Sequence, residues 1–214
     1  MMSLKDQISA MNRTLANRGS GNAKENATHL IRGAKDVQNE VIEVPDRMAL
    51  YLLECEDCVY SIEGKPIKIS IEKCKNVKLV VEGKVLTGVV DAWKSENLDL
   101  EFTRAVSTFE LDSINAITIR MPEEEYFGQM VWSKVEETQL HLGDEEHRLN
   151  LAEVQGRNQE SSRFKTTIVQ GSLKTEAIYR LEDGYLATRA EEAKFKEMER
   201  KKDEVLRPAQ PEDD

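Results

Sequence analysis

The chain is poor in the residues that mark enzymes, secreted scaffolds and membrane proteins. Its 214 residues hold three cysteines, three histidines, two tryptophans and five prolines, and aromatics make up 6%. Three cysteines cannot build a disulfide framework and suit a reducing compartment. His29, His141 and His147 stand in no Ser-His-Asp pattern and at no metal-ligand spacing, so each reads as a surface residue. No apolar run approaches a membrane span, and no signal-peptide core is visible at the start. A net charge of −10 argues against nucleic acid or an anionic membrane as the main partner. The expectation is a soluble, cytoplasmic, non-enzymatic chain that needs no cofactor or metal.

What the chain does have, from Leu50 onward, is one apolar frame repeated five times. The copies are Leu50, Leu52, Cys55, Cys58, Tyr60, Ile62; then Ile69, Ile71, Cys74, Val77, Leu79, Val81; then Val90, Ala92, Ser95, Leu98, Leu100, Phe102. The fourth is Phe109, Leu111, Ile114, Ile117, Ile119, Met121, and the fifth Met130, Trp132, Val135, Thr138, Leu140, Leu142. They start 19 or 21 residues apart, within the periods that mark stacked arrays. Each copy holds two alternating segments, and alternation puts apolar side chains on one face of a strand. The spacers around the middle apolar residue turn the chain. A coil built this way wraps a thin apolar interior that only a neighbouring coil can cover. The sequence therefore predicts an all-β solenoid, a right-handed parallel β-helix of about five to six coils.

Equal-phase residues become columns in such a stack. One turn column opens Asp57, Asn76, Asn97, residue types that tolerate left-handed backbone. Outward columns read Glu54, Lys73, Lys94, Ser113, Lys134 and Glu56, Lys75, Glu96, Asn115, Glu136, which points to a charge-balanced, solvated face. Cys55 and Cys58 spell C-x-x-C, yet both are inward frame positions, so they read as reduced core thiols rather than a zinc or redox site. Trp93 falls in an outward column and reads as an exposed interface anchor.

Four segments follow from this phasing: 1–28, 29–156, 157–186 and 187–214. In the first, Leu4, Ile8, Met11 and Leu15 form an a/d-type docking seam on a short helix, followed by a Gly- and Ser-containing linker. In the second, residues 29–49 lead in, with Val41, Ile42 and Val44 as an entry strand that covers the first coil. Leu149, Leu151 and Val154 repeat half the frame before it ends near Gly156. The third holds two strand-like runs around Gln170-Gly171-Ser172, a C-terminal β-hairpin that includes Phe164, Thr166, Ile168, Leu173, Ile178 and Tyr179. It is out of phase with the coils, so it either caps the stack or pairs with another subunit. The last is a charged helix, with Glu192 and Lys196 as an i,i+4 pair, and a disordered tail.

The run Ile69-Ser-Ile-Glu-Lys-Cys-Lys-Asn-Val-Lys-Leu-Val-Val-Glu-Gly83 resembles a coil of the C-terminal domain of cyclase-associated protein, within the superfamily shared with tubulin-folding cofactor C. Ala49-Leu-Tyr-Leu-Leu-Glu-Cys55 resembles that family's first coil. Arg163-Phe-Lys-Thr166 and Thr175-Glu-Ala-Ile178 resemble its closing hairpin. The resemblance covers about residues 45–180. It implies a non-enzymatic cytoskeletal domain that dimerises by exchanging the hairpin, binds actin monomers and promotes exchange of their nucleotide. The implied contact surface includes Lys68, Lys73, Lys75, Lys78 and Lys94, with Trp93 beside them. The sequence departs from larger members, which carry an N-terminal helical domain, a proline-rich stretch and a verprolin-type segment. An alternative is a structural adaptor in a microtubule-based assembly such as a ciliary axoneme, its terminal helices docking on axonemal partners. A lesser alternative is a cofactor C-like GTPase activator, but Arg104 and Arg120 lack the flanking pattern of that branch.

Overall fold

The computed structural model describes residues 28–149, 154, 162–182 and 184–206. The seam Leu4, Ile8, Met11 and Leu15, Leu151, and the tail beyond residue 206 lie outside them.

The frame folds as its phase dictates. Strands β1 (Thr28–Arg32), β3 (Ala49–Leu53) and β5 (Ile69–Glu72) and the first halves of β7 (Val89–Phe102), β8 (Val106–Met121) and β9 (Phe127–Leu142) pair in parallel as one face. Strands β2 (Glu40–Val44), β4 (Glu56–Gly64), β6 (Lys75–Val81) and the second halves of β7 to β9 form another. Every one of the six frame positions in all five copies is buried, including the polar Ser95 and Thr138. The chain is a β-solenoid. Phe109 sits edge-on to Phe102 and stacks on Phe127, with centroids 5.5 and 5.8 Å away, so aromatic packing runs through three coils.

The lead-in is more than an entry strand. Ile31 aligns with Leu52 and Ile42 with Ile62, so residues 28–44 form a further coil below Leu50. Its frame was hidden because His29 stands opposite Leu50 and Glu40 opposite Tyr60, two polar residues in apolar slots. The end coil of a solenoid tolerates them.

The corners match their sequence signal and add to it. Asp57, Asn76 and Asn97 all have φ between 51° and 56°. Their side chains form a ladder, Asn97 Nδ2 donating to Asn76 Oδ1 at 2.9 Å and Asn76 Nδ2 to Asp57 Oδ1 at 2.7 Å. The column Glu54, Lys73, Lys94, Ser113 and Lys134 is left-handed throughout, with φ from 49° to 57°. The chain turns on both sides of the middle inward residue, and bonds such as Glu54 N–H to the Glu72 carbonyl at 3.0 Å keep corner amides satisfied.

At the far end the chain reverses. Strand β10 (Glu145–Arg148) runs antiparallel along the second half of β9. Leu149 and Val154 pack against the core, but not as half a frame copy. Leu149 follows the antiparallel return, its N–H donating to the Thr138 carbonyl at 3.3 Å, and the first half of β9 is taken by a later hairpin. Strands β11 (Phe164–Val169) and β12 (Ser172–Ala177) form the expected hairpin, turning at Gln170-Gly171 with both residues left-handed. It lies antiparallel on the first half of β9, pairing Phe164 with Trp132 and Thr166 with Met130, and so caps the solenoid of its own chain. Ile168 and Leu173 pack on the core, while Ile178 N–H donates to the Arg163 carbonyl at 2.9 Å. A small hairpin, β13 (Tyr179–Arg180) and β14 (Leu186–Ala187), leads into helix α1 (Arg189–Leu206). A capping box starts it: Glu191 N–H donates to Thr188 Oγ1 and Thr188 N–H to Glu191 Oε2.

Candidate functional surface

Outward residues on the first-half face make the most differentiated surface of the solenoid. Tyr51 and Trp93, two coils apart, stack across the small Ser70 with centroids 6.1 Å apart and planes 28° apart. Trp93 is therefore half-buried against Tyr51 rather than freely exposed, a correction to the sequence reading. The Tyr51 hydroxyl donates to Glu72 in the coil between. That bond holds the Glu72 carboxyl below the usual carboxylate range, aided by the charge of Lys73. Burial first, and the bond to Glu72 second, push the Tyr51 phenol up to about 12. Beside them Asp91 is nearly buried, yet Lys68 Nζ at 2.7 Å and the Ser70 hydroxyl at 3.1 Å satisfy it. A shallow cavity of about 360 Å³ opens here between Trp93, Glu110, Asp112 and Arg163.

The fold fixes the sign of a pH effect. A raised Tyr51 pKa means the fold favours the neutral phenol, so its stabilising contribution is complete below the ordinary phenol value near 10. It disappears as the pH climbs from there through about 12. An ultraviolet titration of Tyr51→Phe should lose a phenol that ionises near 12; an unchanged titration in that range would contradict the Tyr51–Glu72 contact.

The candidate lysines do not form one patch. Lys68 lies on the first-half face, Lys73, Lys75 and Lys94 at the corner, and Lys78 on the second-half face. Lys73 pairs with Glu54 at 3.6 Å, Lys75 with Glu96 at 3.6 Å and Lys78 with Asp99 at 3.6 Å. The face is charge-balanced across coils, as the alternating columns imply. Lys94, beside Trp93, is exposed. Arg120 is held by Asp99 at 3.0 Å, while Arg104 is exposed. Tyr51, Asp91 and Arg163 join this surface without being among the residues that the sequence singles out. The signal for Tyr51 and Asp91 is their shared column, in which the small Ser70 lies between them; Arg163 lies outside the repeated frame.

The hairpin residues belong together. Trp132 Nε1 donates to Thr166 Oγ1 at 2.8 Å, Thr166 and Thr175 share a 2.9 Å bond, and Phe164 lies over Trp132 with centroids 4.8 Å apart. All this is buried. Tyr179 donates to Glu192, tying the chain after the hairpin to α1.

The three cysteines are buried inside the coils. The hydrogen bond with the Cys55 thiol, and then burial, hold the Cys74 thiol well above the ordinary range. Both effects suit an inert Cys74. No helix among the described residues is long and apolar enough to cross a membrane.

The class that these features define is a parallel β-solenoid closed by a hairpin, with rigid outward faces built from stacked columns. The family model described as adenylate cyclase associated (CAP) C terminal matches residues 22–179, and the chain belongs to that family. It is a non-enzymatic, actin-monomer-binding family of the cytoplasmic cytoskeleton. A search of curated proteins gives no match.

Proposed function

We propose that this chain binds actin monomers as a dimer made by exchange of the β11–β12 hairpin, and that binding promotes release of the actin-bound nucleotide. The observation that carries the reading is the family match, which takes in every coil and the hairpin. Exchange is physically cheap here. The hairpin meets its own solenoid through a short antiparallel ladder and the Trp132–Thr166 bond, and the same contacts can be remade on a second copy. For the actin contact the favoured residues are Trp93 and exposed Lys94. Lys73, Lys75 and Lys78 already have acidic partners, and Lys68 is held by Asp91.

Sedimentation equilibrium tests the dimer, with the full chain expected at twice the chain mass and a monomer at micromolar concentration contradicting exchange. Release of a fluorescent nucleotide from ADP-actin tests the activity. The full chain should accelerate it, and Lys94→Glu with Trp93→Ala should lower the acceleration tenfold or more; unchanged acceleration in that variant rules out this surface. A structural adaptor in a microtubule-based or ciliary assembly is the second reading, favoured by α1, which extends past the family-matched residues. A tagged protein confined to axonemes supports it.

A further inference from the structure

The region after residue 179 lies outside the family match and carries a cavity of about 820 Å³ between the β13–β14 hairpin and α1. Its apolar lining is open to solvent: Tyr185 is 72%, Leu186 53%, Phe195 48% and Met198 57% exposed. Four large apolar side chains around one groove exceed the scattered exposure normal for a soluble surface. Phe195 and Met198 are three apart on one side of α1, the spacing at which a helix offers anchors to another helix.

The other segment outside the family match is residues 1–21, and it carries the complementary feature. Leu4, Ile8, Met11 and Leu15 fall at helical spacing on a stretch too short to hold a helix alone. Residues 3–16 contain Lys5 and Arg13 against Asp6, an excess of one positive charge. The groove is rimmed by Glu182, Glu192 and Glu199 against Arg180 and Lys196, an excess of one negative charge. The linker is long enough to pass along the stacked coils. The first face runs from β1 to β12 through seven strand-to-strand steps, about 34 Å at the usual spacing of about 4.8 Å. The eleven residues 17–27 span about 36–40 Å when extended.

We propose that residues 3–16 dock as a helix in the groove between the β13–β14 hairpin and α1 of the same chain, seating Leu4, Ile8, Met11 and Leu15 against Tyr185, Leu186, Phe195 and Met198. The two segments added to the family domain then cover each other's apolar faces. This docking does not depend on the actin reading.

Hydrogen exchange on the full chain tests it. In Ile8→Asp/Met11→Asp, amides of residues 185–199 should exchange at least tenfold faster than in the unaltered protein. In Phe195→Asp, amides of residues 3–16 should lose protection to the same extent. Both substitutions lie outside the solenoid, so coil amides serve as the folding control. Unchanged exchange in both variants overturns the proposal. Protection of residues 185–199 that rises with protein concentration and survives Ile8→Asp/Met11→Asp also overturns it, assigning the groove to a second copy. Protection that appears only on adding a separate partner protein assigns it to that partner and likewise rejects the proposal.

Discussion

Gly83→Ala is expected to destabilise the protein by about 3 kcal/mol or more, lowering the melting temperature by about 6–12 °C. Gly83 follows β6, directly above Gly64 at the end of β4. A Cβ there would lie 1.7 Å from the Gly64 carbonyl oxygen and 2.9 Å from its carbon. Both are backbone atoms, so no side-chain rotation relieves the clash, and two coils would have to separate at a corner. The stack repeats the crowding one step down, where a Cβ on Gly64 would meet the Val44 oxygen at 2.5 Å. Gly33→Ala is the control. Its φ is +65°, but nothing lies within 4 Å of the added carbon, so only the left-handed backbone cost of roughly 1–2 kcal/mol applies. Thermal unfolding followed by circular dichroism should rank the two variants in that order. Equal, small shifts would mean that the corner is looser than described.

Thr166→Val is expected to cost about 2 kcal/mol, about 4–8 °C in melting temperature, although it keeps the shape of the side chain. The hydroxyl it removes accepts from Trp132 Nε1 at 2.8 Å and bonds Thr175 at 2.9 Å, in a fully buried position. Valine leaves the indole N–H without an acceptor, and an unsatisfied buried donor costs more than the lost bond itself. The loss should be local first, with amides of residues 164–177 exchanging before those of β7 and β8. In Trp132→Phe, which has no N–H, the added Thr166→Val should cost clearly less, and the shortfall measures the bond. Additive losses would show that the indole and the hydroxyl do not communicate.

The solenoid was legible because its driving force is periodic. Thirteen residues from Leu50 to Ile62 set a phase that correctly places Ser95 and Thr138 indoors against their polarity. Asp57, Asn76 and Asn97 announced their left-handed corner through residue type. The neighbouring left-handed column did not, because Glu54, Lys73, Lys94, Ser113 and Lys134 are types seldom found there, and the closed coil imposes that backbone. The first coil was missed where His29 and Glu40 interrupt the frame. The antiparallel return of Glu145–Arg148 was also missed, since its four residues carry no apolar pattern. Surface contacts were harder still. Columns predicted that lysines and acids alternate from coil to coil, but not that Tyr51 would reach past Ser70 to Trp93. Nor could they show the candidate lysines divided among two faces and a corner.

Direct titration decides whether this solenoid binds monomeric actin. Fluorescently labelled ADP-actin monomers, mixed with the full chain under non-polymerising conditions, should show saturable binding at micromolar concentration or below. Binding should weaken at least tenfold with Trp93→Ala and Lys94→Glu together. No binding at tens of micromolar, by a chain whose coils are shown to be folded, would contradict the account.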